Sequence, residues 1–323
     1  MANRYIRNTV ILAKIETTYG TDSVPTGGAN ALLVSNVNVN PLNANNVSRD
    51  LIRPFMGGSE QLVGTAYVEM SFDVELQGSG TLGTAPAWGP LLRASGWAET
   101  VTASTRVDYT PVSTAFEAVT IYWYDDGTLH KALGARGTWE IAAGVGERPV
   151  LKFRFIGLYS ALSAASNPSA TLTAWQTPLV VTDANSGDIT LGCTYSLGAI
   201  SGGTAYPSRG ISINAGNDIN HVPLLGGESV EISQRDITGH VDFDLTSAQE
   251  VTFQTNAIGN TVQTLGWLHG TASARKVLLF ANNVQMINPT KQEINGKRLI
   301  GYDLRLTPSA AGNDDLRIVT SMA

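Results

Sequence analysis

The sequence contains few of the residues that usually build catalytic and metal sites. Its 323 residues include one cysteine, Cys193, and four histidines, His130, His221, His240 and His269. A single cysteine excludes a disulfide within the chain and a zinc site with several thiolates, and its ordinary role is that of a small buried apolar residue. The histidines lack the short spacing of metal-binding pairs. We therefore expect no metal, no cofactor and no catalytic residue.

Charge is also scarce. Charged residues make up 15% of the chain and its formal net charge is −6, whereas about a quarter of a globular chain is usually charged. An acidic balance argues against general affinity for nucleic acid, which needs a basic surface. It leaves open a surface past which nucleic acid slides. The low charge suits a protein that packs against copies of itself.

Long apolar runs are absent. The opening segment MANRYIRNTVILAKIETTYG has only four consecutive apolar residues before Lys14, which is too short for the core of a signal peptide. No run approaches the roughly 20 residues needed to cross a bilayer. We expect a protein without a membrane anchor that is made in a cytoplasm.

An internal repeat is the most informative feature present. Residues 54–76 and 223–245 align without a gap at an offset of 169. A repeat predicts duplicated structure, and each half is long enough to bury a core. We predict two tandem domains, residues 1–165 and 166–323, with the connection in the Ser- and Gly-rich segment 160–208. The matched identities are Pro54/Pro223, Gly57/Gly226, Gly58/Gly227, Asp73/Asp242 and Leu76/Leu245.

Strand signals dominate both halves. The β-branched and aromatic run at 119–124 precedes Asp126-Gly127, and Asn295-Gly296 separates two further strand patterns; both dipeptides are typical of hairpin turns. Helical patterns are limited to residues 87–95 and a candidate within 247–266. These patterns predict an all-β fold with minor α: two tandem β-sandwich or partial-barrel domains, each with about one short helix.

Polar and apolar residues alternate through Val68–Leu76, which places Glu69, Ser71, Asp73 and Glu75 on one strand face. In the second repeat His240, Asp242 and Asp244 share the equivalent face. The ordinary interpretation of one such strand is a solvated face. Two matched acidic faces predict a repeated acidic surface. Repulsion would make a dry interface there costly, whereas a water-filled channel would tolerate the charges.

The Asn-rich segment 36–63 has no clean period, and we predict a long loop at about 41–62. Loops of this length are usually functional or disordered. Its apolar residues indicate docking, most economically on a neighbouring copy. The residues expected at this inter-ring or inter-subunit contact are Leu51, Ile52, Arg53, Phe55 and Met56.

The turn Gly78–Gly83 matches the dinucleotide pattern GxGxxG, which alone is a weak signal. The preceding strand alternates, whereas a parallel nucleotide-binding strand is apolar on both faces. Pro86 and Pro90 delay the following helix, and βαβ units are missing. An enzyme that uses this turn is therefore the least favoured hypothesis, and an ordinary strand-to-helix turn is the preferred interpretation.

Three stretches carry a family resemblance: TLGTAPAWGPLLRASG at 81–96, DDGTLHKALGARG at 125–137 and FRFIGLY at 153–159. Together they resemble the tail tube protein of a long, non-contractile phage tail, in a two-domain form. The second half resembles it mainly through the repeat, where Leu304-Arg305-Leu306 is similar to Phe153-Arg154-Phe155. The resemblance implies β-sandwiches with a flanking helix, and rings whose inner strands join around a lumen.

The resemblance also implies a function. The chain would be a structural virion protein, made in the bacterial host, and three copies would form pseudo-sixfold rings that stack into a tube. Tape measure, terminator and tail-tip proteins would be its other partners. DNA would pass without specific binding, because an acidic lining repels a duplex that carries one charge per about 1.7 Å. The expected lumen-lining residues are Glu69, Asp73, Glu75, Asp242 and Asp244.

The alternative is another virion or surface β-sandwich, such as a decoration or carbohydrate-binding protein. Its basis is the set of tryptophans, which can stack on sugars or serve as core anchors. They are Trp88, Trp97, Trp123, Trp139, Trp175 and Trp267.

Overall fold

The computed structural model describes residues 4–323, in which strands predominate and helices are few and short. The helices are α1 (Gly27–Asn30), α2 (Gly89–Arg93) and α3 (Ser247–Ile258). The strands of the first half are β1 (Thr9–Ile15), β2 (Ala31–Leu32), β3 (Val34–Ser48), β4 (Gln61–Glu75), β5 (Trp97–Thr102), β6 (Arg106–Pro111), β7 (Val119–Asp125), β8 (Thr128–Gly144), β9 (Val150–Tyr159) and β10 (Ser163–Ala164).

The second half continues the strand-rich pattern and confirms an all-β fold with minor helix. Its strands are β11 (Ile189–Leu191), β12 (Thr194–Ser196), β13 (Ala199–Ser201), β14 (Thr204–Tyr206), β15 (Ser208–Asn214), β16 (Asn217–Leu224), β17 (Gly227–Arg235), β18 (Thr238–Phe243), β19 (Val262–His269), β20 (Val277–Ile294), β21 (Lys297–Thr307) and β22 (Arg317–Thr320).

Two four-stranded sets repeat the same order. In the first set β3 pairs with β4, β4 with β9, and β9 with β8. In the second set β15 pairs with β18, β18 with β21, and β21 with β20. All of these pairings are antiparallel. The internal repeat is therefore a repeat of strand order, and β8 and β15 connect the two sets side by side.

Local sequence explains the turns and the longest helix. Asp126-Gly127 and Asn295-Gly296 both have positive φ and connect β7 to β8 and β20 to β21, as predicted for two-residue hairpins. Helix α3 begins with a capping box, in which Thr246 and Gln249 each accept from the other's backbone N–H. The helix predicted within 247–266 is α3, and it ends at Ile258 before the chain forms β19 from Val262 onward.

The core lies between the apolar faces of these strands and the layer that covers them. Phe72 stacks against Phe155 in the first half, with ring centroids 6.1 Å apart. Phe253 of α3 packs on Phe243 and Tyr302 in the second half. One buried cluster includes residues from both halves. The division into domains 1–165 and 166–323 stays a prediction.

Each set carries a two-stranded extension between its first two strands. The first ribbon, residues 43–67, is formed by the ends of β3 and β4. The second ribbon, residues 217–235, is the hairpin of β16 and β17. The predicted loop at 41–62 was therefore wrong in its bounds: residues up to Ser48 and from Gln61 are strands, and only 49–60 connect them.

Candidate functional site

The alternation in β4 and β18 separates a buried face from a polar face, as predicted. Val68, Met70, Phe72, Val74 and Leu76 are buried. The residues between them, Glu69, Ser71, Asp73 and Glu75, are half-buried. In the second half His240 and Asp242 are half-buried on either side of the buried Val241, and Asp244 lies one residue beyond the end of β18.

The polar faces of the two sets are continuous. Residues directly opposite each other on antiparallel strands share a face. Asp73 lies opposite Lys152, and Lys152 lies opposite Glu140. Glu140 lies opposite Asn214 across the β8–β15 joint, and Asn214 lies opposite Thr238. One row of polar side chains thus crosses from the first half into the second.

Basic side chains contact most of the predicted acids. Arg154 donates to Glu69 over 2.5 Å, and Arg148 donates to Glu75 over 2.9 Å. Lys297 contacts Asp244, while Asp73 accepts from the amide of Asn36 over 2.7 Å. The face is therefore mixed in charge rather than purely acidic. The acids on or beside it outnumber the bases: Glu69, Asp73, Glu75, Glu140, Asp236, Asp242, Asp244 and Asp303 against Arg136, Arg148, Lys152, Arg154, Lys297 and Arg305.

His240 lies on this polar face, as the alternation predicted, and the first repeat has Ser71 at the equivalent position. Its Nδ1 lies 3.0 Å from Asp303 Oδ1, and its Nε2 lies 3.2 Å from Asp242 Oδ1. Partial burial lowers the pKa of His240, but the hydrogen bonds and charges of the two carboxylates outweigh it and raise this pKa above its ordinary value. The pKa of Asp303 is lowered by its hydrogen bonds with His240 and Asn288.

The outermost strands of the eight-strand row have free edges. Within residues 4–323, β3 pairs with β4 alone. On its outer side β20 pairs with β19 only as far as Gln285, and beyond it β20 pairs with β21 alone. Strand β8 occupies the equivalent position in the first set, but its outer edge is occupied. It pairs with β7 up to Ala135 and with β15 from Glu140 onward.

The sequence of this chain matches a known protein family. A family model described as phage tail tube protein matches residues 6–308. The chain belongs to the phage tail tube protein family. No curated protein matched the sequence. A tail tube protein is a structural component of the phage tail, which agrees with the resemblance carried by residues 81–159.

The apolar residues predicted to dock this tail tube protein on another copy lie at the tip of the first ribbon. Ile52 and Met56 are fully exposed, at 102% and 101% of their reference areas, and Leu51 and Phe55 are exposed as well. Arg53 contacts Glu60 over 3.0 Å and so ties the two sides of the tip together. The tip therefore exposes four apolar side chains to its surroundings.

The glycine-rich turn of this family member is committed to internal packing. The amides of Gly80 and Gly83 donate to the carbonyls of Ala274 and Ser321, over 3.1 and 3.0 Å. The amide of Ser79 donates to the Ser321 hydroxyl over 3.1 Å. A phosphate-binding loop needs such amides to point at its ligand. The turn instead attaches the first half to the C-terminal strands.

Other features of the tail tube chain also fit structural roles. Trp88, Trp97, Trp139 and Trp267 are buried, so these four act as core anchors rather than sugar platforms. Cys193 is buried, and burial raises the pKa of its thiol.

Within residues 4–323, no group of three or more His, Cys, Asp or Glu residues is arranged to hold a metal ion. None of the helices in this part of the chain combines the length and apolarity of a bilayer-spanning segment.

Proposed function

We propose that copies of this chain join edge to edge into rings, and that the stacked rings form an acid-rich conduit through which DNA leaves the virion. The main support for this proposal is the antiparallel pairing of β8 with β15, which joins the two sets of strands. It connects two sets of equal strand order, with Ile213 opposite Ile141. The same joint can be made between copies, with β20 in the place of β8 and β3 of the next copy in the place of β15.

The free edges support this joint. An unpaired strand edge is a liability in a soluble protein unless something covers it. In this chain the two free edges belong to β3 and β20, which lie at opposite ends of one row of strands. A contact between two different surfaces that repeats with a fixed rotation forms a ring when the rotation closes. With two sets per chain, three copies supply six sets and a pseudo-sixfold ring.

The layering of the sheet supports an inward polar face. Helix α3 packs through Phe253 on Phe243 and Tyr302, which lie on the apolar side of the row. In a closed ring of strands the bulkier layer lies outside, because the circumference is larger there. The opposite side, with Asp73 and Asp242, then lines the bore. Its excess of acids repels the duplex and favours sliding over binding.

The remaining partners are those that the family resemblance implies. The tape measure protein would fill the bore before DNA enters, and terminator and tail-tip proteins would cover the two ends of the tube. The exposed apolar tip residues Leu51, Ile52, Phe55 and Met56 would be covered by another copy. The mature location is the virion tail, after synthesis in the host cytoplasm.

The mass and the projection image of the assembled protein test this proposal. We expect rings with the mass of three chains, and end-on images with six similar density lobes in threefold symmetry. A chain that stays monomeric at high concentration would contradict the edge-to-edge assembly, and rings with a different number of chains would contradict the three-chain ring. A glycan-binding monomer would favour the alternative of a carbohydrate-binding sandwich.

A further inference from the structure

The second ribbon packs on the end of the first half of its own chain. The Asn217 side chain donates to the carbonyl oxygens of Ser95, just beyond α2, and Gly137, in β8, over 2.7 and 2.9 Å. Ile219 and Val230 form a buried cluster with Ile156 of β9. Polar and apolar contacts together therefore hold this ribbon across the joint between the two halves.

A buried arginine strengthens that contact. Arg136 of β8 donates to the carbonyl oxygen of Val230 over 2.8 Å and to the carboxylate of Glu231 over 2.7 Å. Its other terminal nitrogen donates to the carbonyl oxygen of Phe116 over 3.0 Å. The end of the first half thus has a ribbon bound to it, and this ribbon comes from the set of strands that follows it in the row.

The first ribbon leaves the first strand of its own set, as the second ribbon does. It departs from β3 at a bulge between Asn40 and Asn43, as the second ribbon departs after Asn214 and begins at Asn217. Both departures have Asn-x-x-Asn spacing. Asn43 donates to Glu69 of its own sheet over 3.3 Å rather than to another half. Val47, Leu62 and Val63 along the first ribbon are exposed, as is Leu42 just before it, whereas Tyr67 at its base packs on the cluster of Ile219 and Val230.

Apolar side chains are also exposed at the end of the second half. Ile258 ends α3 and Val262 begins β19, and they are 75% and 50% exposed. Val251 is exposed seven residues before Ile258 and so lies on the same side of the helix. In the first half the region beyond α2 is the one that the second ribbon contacts through Ser95.

We propose that the first ribbon binds the end of the second half of the neighbouring copy in the same ring, around Ile258 and Val262. It would repeat between chains the packing of the second ribbon within one chain. This inference rests on the proposed ring, because only the β20-to-β3 joint brings the two surfaces side by side. The ribbon body would then hold neighbours within a ring, and only the tip would remain for contacts between rings.

Cysteine cross-linking of assembled tubes tests the proposal, because Cys193 is buried and the unsubstituted chain supplies the background. One preparation mixes Leu62→Cys chains with Ile258→Cys chains before assembly. A second uses chains that carry both substitutions. A short bismaleimide joins cysteines that lie close together. The pair Val47→Cys and Val262→Cys repeats the test, and Val101→Cys with Ile258→Cys is the control, since Val101 is exposed on β5 outside both surfaces.

The expected result is a covalent dimer in the mixture and a ladder that ends at three chains for the double variant, with little product in the control. Tubes that form without these products overturn the ribbon proposal and leave the ring intact. A ladder that extends well beyond three chains also overturns it, because the ribbon then contacts another ring. If the unsubstituted chain forms no rings, the proposed function fails and the ribbon proposal fails with it.

Discussion

Ile141 of β8 lies directly opposite Ile213 of β15, and both side chains are buried at the joint between the two strand sets. This pair connects two segments that are far apart in the sequence. It makes the halves one continuous row of strands. The same relationship, repeated between copies, is the basis of the ring that we propose.

The joint makes a prediction about stability. Ile213→Ala should lower the free energy of unfolding by about 2–5 kcal/mol, because it removes buried methylene groups and leaves a cavity. Urea denaturation measures this change. Val101→Ala, at an exposed position, is the matched control and should stay within about 0.5 kcal/mol of the unsubstituted chain. Equal effects of the two substitutions would mean that the joint contributes little.

Arg136 predicts a local effect. Arg136→Met should cost about 2–3 kcal/mol, because it leaves the carbonyl oxygens of Val230 and Phe116 and the Glu231 carboxylate without their donor. Hydrogen exchange should show faster exchange in the second ribbon, residues 217–235, than in β9. Arg148→Met is the control, because the Arg148 side chain is 47% exposed, against 10% for Arg136, and the ion pair of an exposed arginine contributes at most about 1 kcal/mol. Unchanged exchange in the ribbon would argue against Arg136 as its anchor.

His240 predicts a pH dependence. Because its pKa is raised from the ordinary value of 6.5, protonated His240 stabilises the fold fully below that value. The contribution is lost as the pH rises through the raised pKa. His240→Gln should therefore destabilise the chain more at pH 5.5 than at pH 8.5. The difference should be under about 1 kcal/mol, because the histidine side chain is 41% exposed.

His130 provides a contrast of opposite sign in the same denaturation series. Burial lowers the pKa of His130, so its protonation at low pH opposes folding. His130→Gln should compare more favourably with the unsubstituted chain at pH 5.5 than at pH 8.5. The same trend in both variants would show that the two carboxylates around His240 do not control its titration.

The polar face predicts an electrostatic effect on DNA. Tubes that carry Asp73→Lys and Asp242→Lys should bind duplex DNA at low salt, with an affinity that falls steeply as salt increases. Tubes of the unsubstituted chain should bind weakly. Tubes with Asp183→Lys and Asp188→Lys, two exposed positions before β11, carry the same change in net charge and so separate it from a bore effect. Equal binding by all three kinds of tube would contradict a repelling bore.

Local chemistry explains what the sequence could predict. The alternation of β4 and the turns at Asp126-Gly127 and Asn295-Gly296 depend on neighbouring residues, so the buried face and the hairpins follow from the sequence. The candidate site was predictable to the same extent. The alternation correctly predicted that Glu69 and Asp73 lie on the polar face of β4. It could not predict their partners Arg154 and Asn36, which come from other strands.

Long-range pairing explains what the sequence could not predict. The stretch from Asn40 to Ser48 is rich in Asn, which is depleted in strands, and Pro41 weakens the pattern further. It forms a strand because β4 pairs with it, and β3 tolerates proline as an edge strand.

The sequence also supports two different alignments of the two halves. The offset of 169 places Glu69 on Thr238, whereas matching Arg154 with Arg305 places it on Asp236. The difference of two residues keeps the same face.

The structure of an assembled tube by electron cryo-microscopy tests the central claim most directly. We predict that β3 of one copy pairs with the outer edge of β20 in the next copy, and that the side chains of Asp73 and Asp242 face the bore. A tube in which these two edges meet other surfaces, or in which the two carboxylates face the outside, would contradict the account.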